Sequence, residues 1–305
     1  MSKSKIYKVI GIMSGTSMDG IDFSLMDTDG MNYVKIINEK TYLYEENYRK
    51  KLKKIIKNLP KTKYKQFIYI KKNEDLITSN FLKFTRKFIK YYKINTNKIN
   101  LIGLSGQTIF HNPKKRYSLQ LGSGKELNKK LKIPVIANFR KNDLLNGGQG
   151  APIGSFYHKN ILNKINKKAC IINLGGIANI TFCNKKKLIS YDMGPSNSLI
   201  DDLCNYFYKE KFDKDGLIGT KGKLIKKIFD RFKLDVYFNK PYPKSLDREH
   251  FHLFYKDLIK YNANNAIHTA SMMTVYGIIK GIIFLNQKFD LMILTGGGRK
   301  NNFIK

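Results

Sequence analysis

The sequence has few of the residues that build disulfide frameworks and metal centres. It contains three cysteines and five histidines among 305 residues. The cysteines show no CxxC spacing and no nearby histidine pair, and no HExxH motif is present, although His250 and His252 stand two residues apart. These patterns argue against a disulfide-rich protein and against a zinc site. A reducing, cytoplasmic location is the expectation.

Several other signatures are also missing. The segment GSGK at 122–125 is not a Walker A loop, because no glycine precedes it at the required spacing and no Ser or Thr follows Lys125. No GxSxG nucleophile elbow is present, which argues against that class of hydrolase. The sequence shows no long uninterrupted apolar run and no signal-peptide cleavage site. We therefore expect a soluble globular protein without a signal peptide or a membrane span.

Acidic residues are scarce: 23 Asp and Glu stand against 57 Lys and Arg, a net charge of +34. A concentrated basic stripe is typical of nucleic-acid binding. Here the lysines are scattered along nearly every segment and are accompanied by many Asn and Ile, as an A/T-rich coding sequence would produce. We therefore expect no nucleic-acid partner and interpret the lysine runs as solvated faces. The charge can still help to recruit an anionic substrate.

The most informative segment is IGIMSGTSMDGID at 10–22. It places small and hydroxyl residues between an apolar run and a stretch in which Ile21, Phe23 and Leu25 alternate with polar residues, at the period of a strand. A Rossmann or Walker loop would lead into a helix instead. The pattern predicts a hairpin whose backbone amides and hydroxyl groups, at 14–17, face a phosphate.

Two carboxylates, Asp19 and Asp22, follow this turn at once. Next to a phosphate they would repel the anion unless a cation lay between them, so the segment predicts a magnesium ion, held directly or through water. The alternative is that Asp19 only caps the turn, since aspartate is common in glycine turns.

Strand-like and helix-like segments alternate along the chain, which predicts an α/β fold with a parallel or mixed sheet. The segment LIGLSGQT at 101–108 is predicted as a buried strand that ends in a polar turn, and 73–92 as a helix.

The strand–turn–strand pattern of residues 10–22 recurs later in the sequence. The run ACIINLGGIANITFC at 169–183 again reads strand, glycine turn, strand, and LMILTGGG at 291–298 is a strand that ends in glycines. The repetition indicates an internal duplication. We expect two similar domains, 1–165 and 166–305, that face each other across a nucleotide cleft.

The segment FRKNDLLNGGQGAP at 139–152 directly follows the strand-like run IPVIAN. Ligands of α/β sheets usually bind just beyond the carboxyl end of a strand. Asp143 can take a proton from a hydroxyl or a water nucleophile, and Arg140 can orient a substrate or stabilise phosphoryl charge. The alternative is an ordinary surface Arg and Asp on one helical turn.

Two further segments of the second half carry candidate functional or capping residues. In YDMGPSNSLIDD, Asp192 stands at a strand end as a second magnesium or substrate contact, and Asn197 is a helix cap or a sugar contact. The segment PKSLDREHF is predicted as a helix entry that Ser245 or Asp247 caps, with a structural role.

Taken together, the motifs closely resemble the bacterial anhydro-N-acetylmuramic acid kinases, a family of the sugar kinase, heat-shock chaperone ATPase and actin superfamily. The matching segments run in family order over the whole chain: GIMSGTSMDGID (11–22), GQT with HNP (106–113), LQLG (119–122), FRKNDLLNGGQGAP (139–152), NLGGIANIT (173–181), DMGPSN (192–197), PKSLDRE (243–249) and TGGGRKN (295–301).

The resemblance implies a reaction and a fold. ATP, water and 1,6-anhydro-N-acetylmuramic acid would give N-acetylmuramic acid 6-phosphate and ADP, a step of peptidoglycan recycling. The fold would be a two-domain actin-like ATPase (ribonuclease H-like) fold with a nucleotide cleft between the domains. Asp143 would be the general base, with Arg140 as a second catalytic residue.

The resemblance also assigns the binding residues. The cofactor ATP would be held by Gly15, Thr16, Ser17, Met18, Asp19, Gly20, Ile21, Asp22, Asn173, Gly175, Gly176, Gly296, Gly297 and Gly298. The anhydro sugar would be held by Gln107, Thr108, Gly147, Gly148, Gln149, Asp192 and Asn197. The residues themselves, and not the resemblance, indicate Asp19 and Asp192 as the Mg²⁺ ligands. A cytoplasmic homodimer without membrane or nucleic-acid partners is the accompanying expectation.

The sequence departs from the family pattern at two places. Ser105 stands where the family commonly has a histidine before GQT. The family also continues beyond the position of Lys305 with C-terminal elements that carry a glutamate-containing substrate segment. Alternatives are therefore a truncated, non-catalytic remnant or nucleotide-binding regulator of the same fold, or another sugar or acetate-type kinase. The segment at 139–152 counts against the last of these.

Overall fold

Two compact units make up the chain in a computed structural model, which describes residues 5–15, 18–184 and 187–305. The units divide between Gly150 and Ala151. The helix at Ser155–Leu162 packs on strands of the second unit. A functional domain boundary after residue 165 stays a prediction.

The strands of the described residues are β1 (Tyr7–Ser14), β2 (Gly20–Thr28), β3 (Val34–Leu43), β4 (Leu101–Asn112), β5 (Tyr117–Leu121), β6 (Val135–Ala137), β7 (Ala169–Leu174), β8 (Ile177–Asn184), β9 (Lys187–Pro195) and β10 (Leu291–Thr295). The helices are α1 (Glu46–Lys57), α2 (Lys63–Tyr91), α3 (Gly124–Leu131), α4 (Phe139–Leu145), α5 (Ser155–Leu162), α6 (Asn197–Tyr208), α7 (Lys226–Lys233), α8 (Tyr255–Leu258) and α9 (Ala263–Leu285). Short 3₁₀ turns join several of these elements.

The first unit contains a six-stranded mixed sheet in the order β3-β2-β1-β4-β5, with β6 pairing with β4. Strands β1, β2 and β3 form an antiparallel meander, whereas β4 runs parallel to β1. Helices α1 and α2 belong to the same unit, and Phe23 of β2 stacks on Phe88 of α2 with ring centroids 5.1 Å apart. The α/β class and the predicted opening hairpin are thereby confirmed.

The second unit repeats this arrangement in its sheet, whose order is β10-β7-β8-β9. Strands β7, β8 and β9 are again an antiparallel meander, and β10 runs parallel to β7. Strand β1 thus corresponds to β7 and β4 to β10, a repeated sheet topology that is consistent with the internal duplication predicted from the two glycine turns.

Helix α9 is the one helix among the described residues that is long and apolar enough to span a membrane. It packs closely on β9: a Cβ placed on Gly194 would lie 3.1 Å from the Cα of Gly277. The hydroxyl of Tyr191 donates to the carbonyl of Gly281 at 2.7 Å. Because α9 lies in the core of this unit, we interpret its apolar composition as that of a core helix.

Two elements differ from the prediction. Strand β4 does not end in a turn at the polar residues 105–108; it continues to Asn112, because its second half pairs with β5 in the register Gln107↔Leu121 to Asn112↔Tyr117. Helix α2 begins at Lys63 and not near residue 73. The clearest apolar spacing in the sequence covers only the part of the helix from residue 73 onward.

Candidate active site

The turn between β1 and β2 follows Ser14, and two of its predicted phosphate contacts, Thr16 and Ser17, lie outside the described residues. The backbone N–H of Met18 donates to the carbonyl of Gly15 at 3.2 Å. Met18 has φ = 54° and is only 4% exposed. A left-handed conformation is uncommon for a residue with a Cβ and marks a backbone that its surroundings hold in place.

The side chains of Gln107 and Tyr44, from outside the hairpin, are hydrogen-bonded to it. Ser14 Oγ donates to Gln107 Oε1 at 2.6 Å, and Gln107 Nε2 donates to the carbonyl of Gly15 at 3.2 Å. The hydroxyl of Tyr44 lies 2.9 Å from Ser14 Oγ. Gln107 is 0% exposed. Its predicted contact with the sugar stays a prediction.

Ser105, which stands in the place of the family's histidine, lies next to the same hairpin. Its Oγ accepts a hydrogen bond from the backbone N–H of Ser14 at 3.4 Å and donates to the carbonyl of Gly106 at 3.1 Å. Thr108, also predicted to contact the sugar, pairs with Gln120 of β5. These contacts place the GQT motif beside the hairpin between β1 and β2.

Two acidic residues, Asp19 and Asp22, follow the turn. The pKa of Asp22 is raised, chiefly because its carboxylate is partly desolvated and then because Asp19 and Glu39 repel its charge, while the hydrogen bond from Thr41 acts the other way. Among the described residues, no cluster of three or more His, Cys, Asp and Glu could hold a metal ion. Because Mg²⁺ is commonly bound by one or two carboxylates together with substrate phosphates and water, this donor set fits a phosphate-bound ion.

Helix α4 and the glycine segment after it form the second part of the site in this unit. The backbone N–H of Gly150 donates to Asp143 Oδ2 at 2.6 Å. Arg140 Nη1 donates to the carbonyl of the same Gly150 at 2.6 Å. The two side chains, one helical turn apart, therefore hold both backbone groups of one residue and fold the loop back over α4.

Glycines are required along this loop by close approach and by backbone conformation. A Cβ placed on Gly148 would lie 2.2 Å from Asp143 Oδ2 and 2.4 Å from Oδ1. Gly147 and Gly150 have φ of 84° and 64°, in the left-handed region. The Asp143 side chain itself is exposed. The loop thus holds a carboxylate in one orientation and leaves it open to a ligand.

His111 is a residue of this site that sequence reasoning missed. Its Nδ1 lies 3.0 Å from Ser118 Oγ. Burial, followed by the nearby Arg140 charge, lowers the pKa of His111 to about 4, against the opposing effect of a hydrogen bond with the Gln149 backbone. The ring is therefore neutral at pH 7 and lies against the glycine loop. The only signal was its place in HNP, a few residues after GQT on the same strand.

The second unit brings its own glycine turns together. Asn197 Nδ2 donates to the carbonyl of Leu174 at 2.8 Å, and the Asn197 backbone N–H donates to the carbonyl of Gly175 at 3.0 Å. A Cβ placed on Gly298 would lie 2.8 Å from Asn197 Oδ1. Asn197 therefore joins the turn after β7 to the glycines after β10.

Asn173 makes the other link between these turns. Thr295 Oγ1 donates to Asn173 Oδ1 at 3.3 Å. A Cβ placed on Gly296 would lie 2.7 Å from the same oxygen. The predicted nucleotide residues of this unit, Asn173, Gly175, Gly176, Gly296, Gly297 and Gly298, thus lie within one cluster of turns.

Asp192 lies with the segment 243–249 instead. It is 6% exposed, and Asp192 Oδ2 accepts a hydrogen bond from the backbone N–H of Leu246 at 2.8 Å. Burial and then Lys240 lower the pKa of the adjacent Lys244 to about 8. Asp247 Oδ1 accepts from the Glu249 N–H at 2.9 Å, which confirms the predicted cap. Metal binding by Asp192 stays a prediction.

The geometry defines a two-unit α/β protein with a glycine hairpin at the end of a strand in each unit. A family model for anhydro-N-acetylmuramic acid kinase matches residues 7–305. The curated kinase of that name from Pelagibacter ubique is 36% identical over 97% of this chain and 81% of its own length. Its namesake from Legionella pneumophila strain Corby is 34% identical, with the same coverage. The chain belongs to the anhydro-N-acetylmuramic acid kinase family.

Solved structures give weaker similarities. The activator of 2-hydroxyisocaproyl-CoA dehydratase from Clostridium difficile, with bound ADPNP, covers 98% of this chain and 82% of its own chain at a TM-score of 0.42 and 9% identity. A ligand-bound xylulose kinase from Lactobacillus acidophilus covers 98% and 83% at a TM-score of 0.40 and 13% identity. Similarity at this level adds nothing to the family assignment.

Proposed function

We propose that this chain is an ATP-dependent kinase that opens 1,6-anhydro-N-acetylmuramic acid by hydrolysis and phosphorylates its 6-hydroxyl, giving N-acetylmuramic acid 6-phosphate in peptidoglycan recycling. Membership of the family supports the reaction. The observation that carries it in this chain is the Asp143 carboxylate, which is held by the Gly150 N–H and remains exposed.

Asp143 is the proposed general base. It takes a proton from water while the water oxygen bonds to C1 of the sugar and the C1–O6 bond breaks. The freed O6 bonds to the γ-phosphorus of ATP, and ADP leaves. A positioned base of this kind contributes about 10²- to 10⁴-fold to such a step. Arg140 fixes the loop that orients the base and supplies positive charge nearby.

ATP phosphates bind the hairpin from Gly15 to Asp22 in the first unit. In the second unit, the turns at Asn173, Gly175 and Gly176 contact phosphate, and Gly296 to Gly298 lie along the adenosine. Backbone N–H groups at such turns form a concave surface that favours anions. Asp19 and Asp192 are the proposed Mg²⁺ ligands, and the bound ion would neutralise charge on the phosphates.

The sugar binds at the glycine loop. Gly147, Gly148 and Gln149 border the Asp143 carboxylate, and Thr108, Asp192 and Asn197 complete the proposed contacts. The active protein is a cytoplasmic homodimer in this proposal.

The experiment that tests the function measures ADP release by the purified protein with ATP and Mg²⁺, in the presence and absence of the anhydro sugar. We expect sugar-dependent ADP and an equal amount of sugar phosphate by mass spectrometry. Asp143→Asn keeps an oxygen for the Gly150 N–H but removes the base, so it should retain ATP binding and lose turnover. Well-folded protein without sugar-dependent ADP would favour a nucleotide-binding remnant instead.

A further inference from the structure

A buried chain of hydrogen bonds runs beneath the hairpin between β1 and β2. Ser14 Oγ donates its single proton to Gln107 Oε1 at 2.6 Å. In the 2.9 Å contact between Ser14 and Tyr44, the Tyr44 hydroxyl is therefore the donor. Gln107 Nε2 then donates to the carbonyl of Gly15 at 3.2 Å. The exposed fractions of Ser14, Tyr44 and Gln107 are 5%, 5% and 0%.

The donors and acceptors in this chain of hydrogen bonds can be arranged in only one way. If the Gln107 amide were turned over, its oxygen would face the Gly15 carbonyl oxygen, and two acceptors would oppose each other. The Gly15 carbonyl also receives the Met18 N–H, so both of its lone pairs are engaged. Its negative end is thereby directed into the protein, where it does not repel an anion.

The carbonyl groups of Met18 and Asp19, later in the turn, also accept hydrogen bonds from residues outside the hairpin. Arg49 Nε, from α1, donates to the carbonyl of Met18 at 3.0 Å. The backbone N–H of Tyr44 donates to the carbonyl of Asp19 at 2.9 Å. Met18 has a left-handed conformation, which is unfavourable by about 1 kcal/mol or more for such a residue, and these contacts together with its burial help to hold it.

We infer that Gln107, supported by Tyr44, is a positioning residue for the ATP-phosphate hairpin and does not contact the sugar. The inference rests on the proposed function for the identity of the ligand. Its physical basis is that the Gln107 side chain has no exposed surface and that both ends of its amide are hydrogen-bonded to the hairpin. A change at Gln107 therefore affects the hairpin first. Replacement should therefore alter the affinity for ATP and leave the affinity for the sugar unchanged.

The test compares Gln107→Met with Gln66→Met. Gln66 is a matched control: it is 4% exposed and its Nε2 donates to the carbonyl of Pro60 at 2.8 Å, on α2. We expect Gln107→Met to weaken ATP binding about tenfold, as for loss of a buried hydrogen bond. The KM for the sugar should stay within about twofold. Gln66→Met should leave both unchanged even if it lowers stability.

A second readout needs no nucleotide. Hydrogen–deuterium exchange of the 14–22 segment should be faster in Gln107→Met than in the wild type and in Gln66→Met. Tyr44→Phe, which removes one hydroxyl, should shift exchange and ATP affinity in the same direction by less, and it serves as the test if Gln107→Met does not fold.

The outcomes are separable. A raised KM for the sugar with unchanged ATP affinity would make Gln107 a sugar contact and overturn the inference. Unchanged exchange in the 14–22 segment would overturn it as well. Wild-type protein that binds no ATP would contradict the proposed function, and the exchange data would then still decide whether Gln107 holds the hairpin.

Discussion

The carboxylate of Asp143 accepts the backbone N–H of Gly150 at 2.6 Å, across a loop that folds back over its own helix. Arg140 donates to the carbonyl of the same glycine. The pair resembles a surface Arg and Asp on one helical turn in the sequence, but in the fold each side chain holds the loop. The orientation of the proposed base is therefore set before a substrate arrives.

Substitution of Gly148 should disturb that base directly. A Cβ at this position would lie 2.2 Å from Asp143 Oδ2, so Gly148→Ala must displace the carboxylate. We expect kcat to fall about 100-fold, as for a misplaced catalytic group. Steady-state kinetics of sugar-dependent ADP release is the measurement.

Gly154→Ala is the control for this substitution, because its added Cβ would meet its nearest neighbour, the His158 ring, at an ordinary 3.9 Å. Near wild-type kcat in Gly148→Ala would show that the Asp143 carboxylate need not occupy its observed position.

His111 should make stability depend on pH. Its pKa of about 4 in the folded protein lies below the ordinary value of 6.5, so the unfolded chain binds more protons between these values. The stabilisation is complete above about pH 6.5 and is lost as the pH falls towards 4, by about 2 kcal/mol between pH 7 and pH 5. Urea unfolding of the wild type and His111→Gln at both pH values measures the difference. Equal pH dependence in the two proteins would refute the assignment.

The glycines after β10 should differ in their tolerance of alanine. A Cβ on Gly298 would lie 2.7 Å from Leu174 Cβ, whereas on Gly297 its nearest neighbour would be Asn197 Nδ2 at 3.8 Å. Gly298→Ala should lower the free energy of unfolding by about 1–3 kcal/mol, as overpacking does. Gly297→Ala should change stability much less. Thermal or urea unfolding of the two variants measures the difference. Equal losses of free energy of unfolding would argue against the observed packing of these turns.

The cysteines provide a chemical test of the second unit. Burial raises the pKa of Cys170 to about 12, and that of Cys204 is also raised, chiefly by burial. Burial also raises the pKa of Cys183, against the opposing Lys159 charge, but this cysteine is the partly exposed one of the three. Because the thiolate is the reactive form, a thiol reagent at pH 8 should modify Cys183 first and the other two only after denaturation. Mass mapping of early labelling that found Cys170 modified would contradict this core.

Much of the fold could be predicted from local patterns. The strand–turn–strand segments at 10–22 and 169–183 carry alternating apolar residues around small-residue turns, and the hairpins β1–β2 and β7–β8 follow from them. The extension of β4 to Asn112 could not be predicted, because it depends on pairing with β5, whose register is not visible in either segment alone.

The site was less accessible to sequence reasoning. The spacing of Arg140 and Asp143 was visible, but their shared partner, Gly150, becomes adjacent only because Gly147 and Gly150 adopt left-handed conformations. The burial of Gln107 and the position of His111 against the glycine loop both depend on how β4 lies in the sheet. Tertiary contacts of this kind leave no local pattern in the sequence.

In the proposed reaction, one turnover adds water to C1 of the anhydro sugar and transfers phosphate to its O6. The direct measurement is a short incubation with ATP and the sugar in ¹⁸O-labelled water, followed by mass spectrometry of the products. We expect a sugar phosphate with a single labelled oxygen at C1 and none in the phosphate group, and no such product from Asp143→Asn. Label found in inorganic phosphate, without a labelled sugar phosphate, would show ATP hydrolysis alone and rule out the proposed reaction.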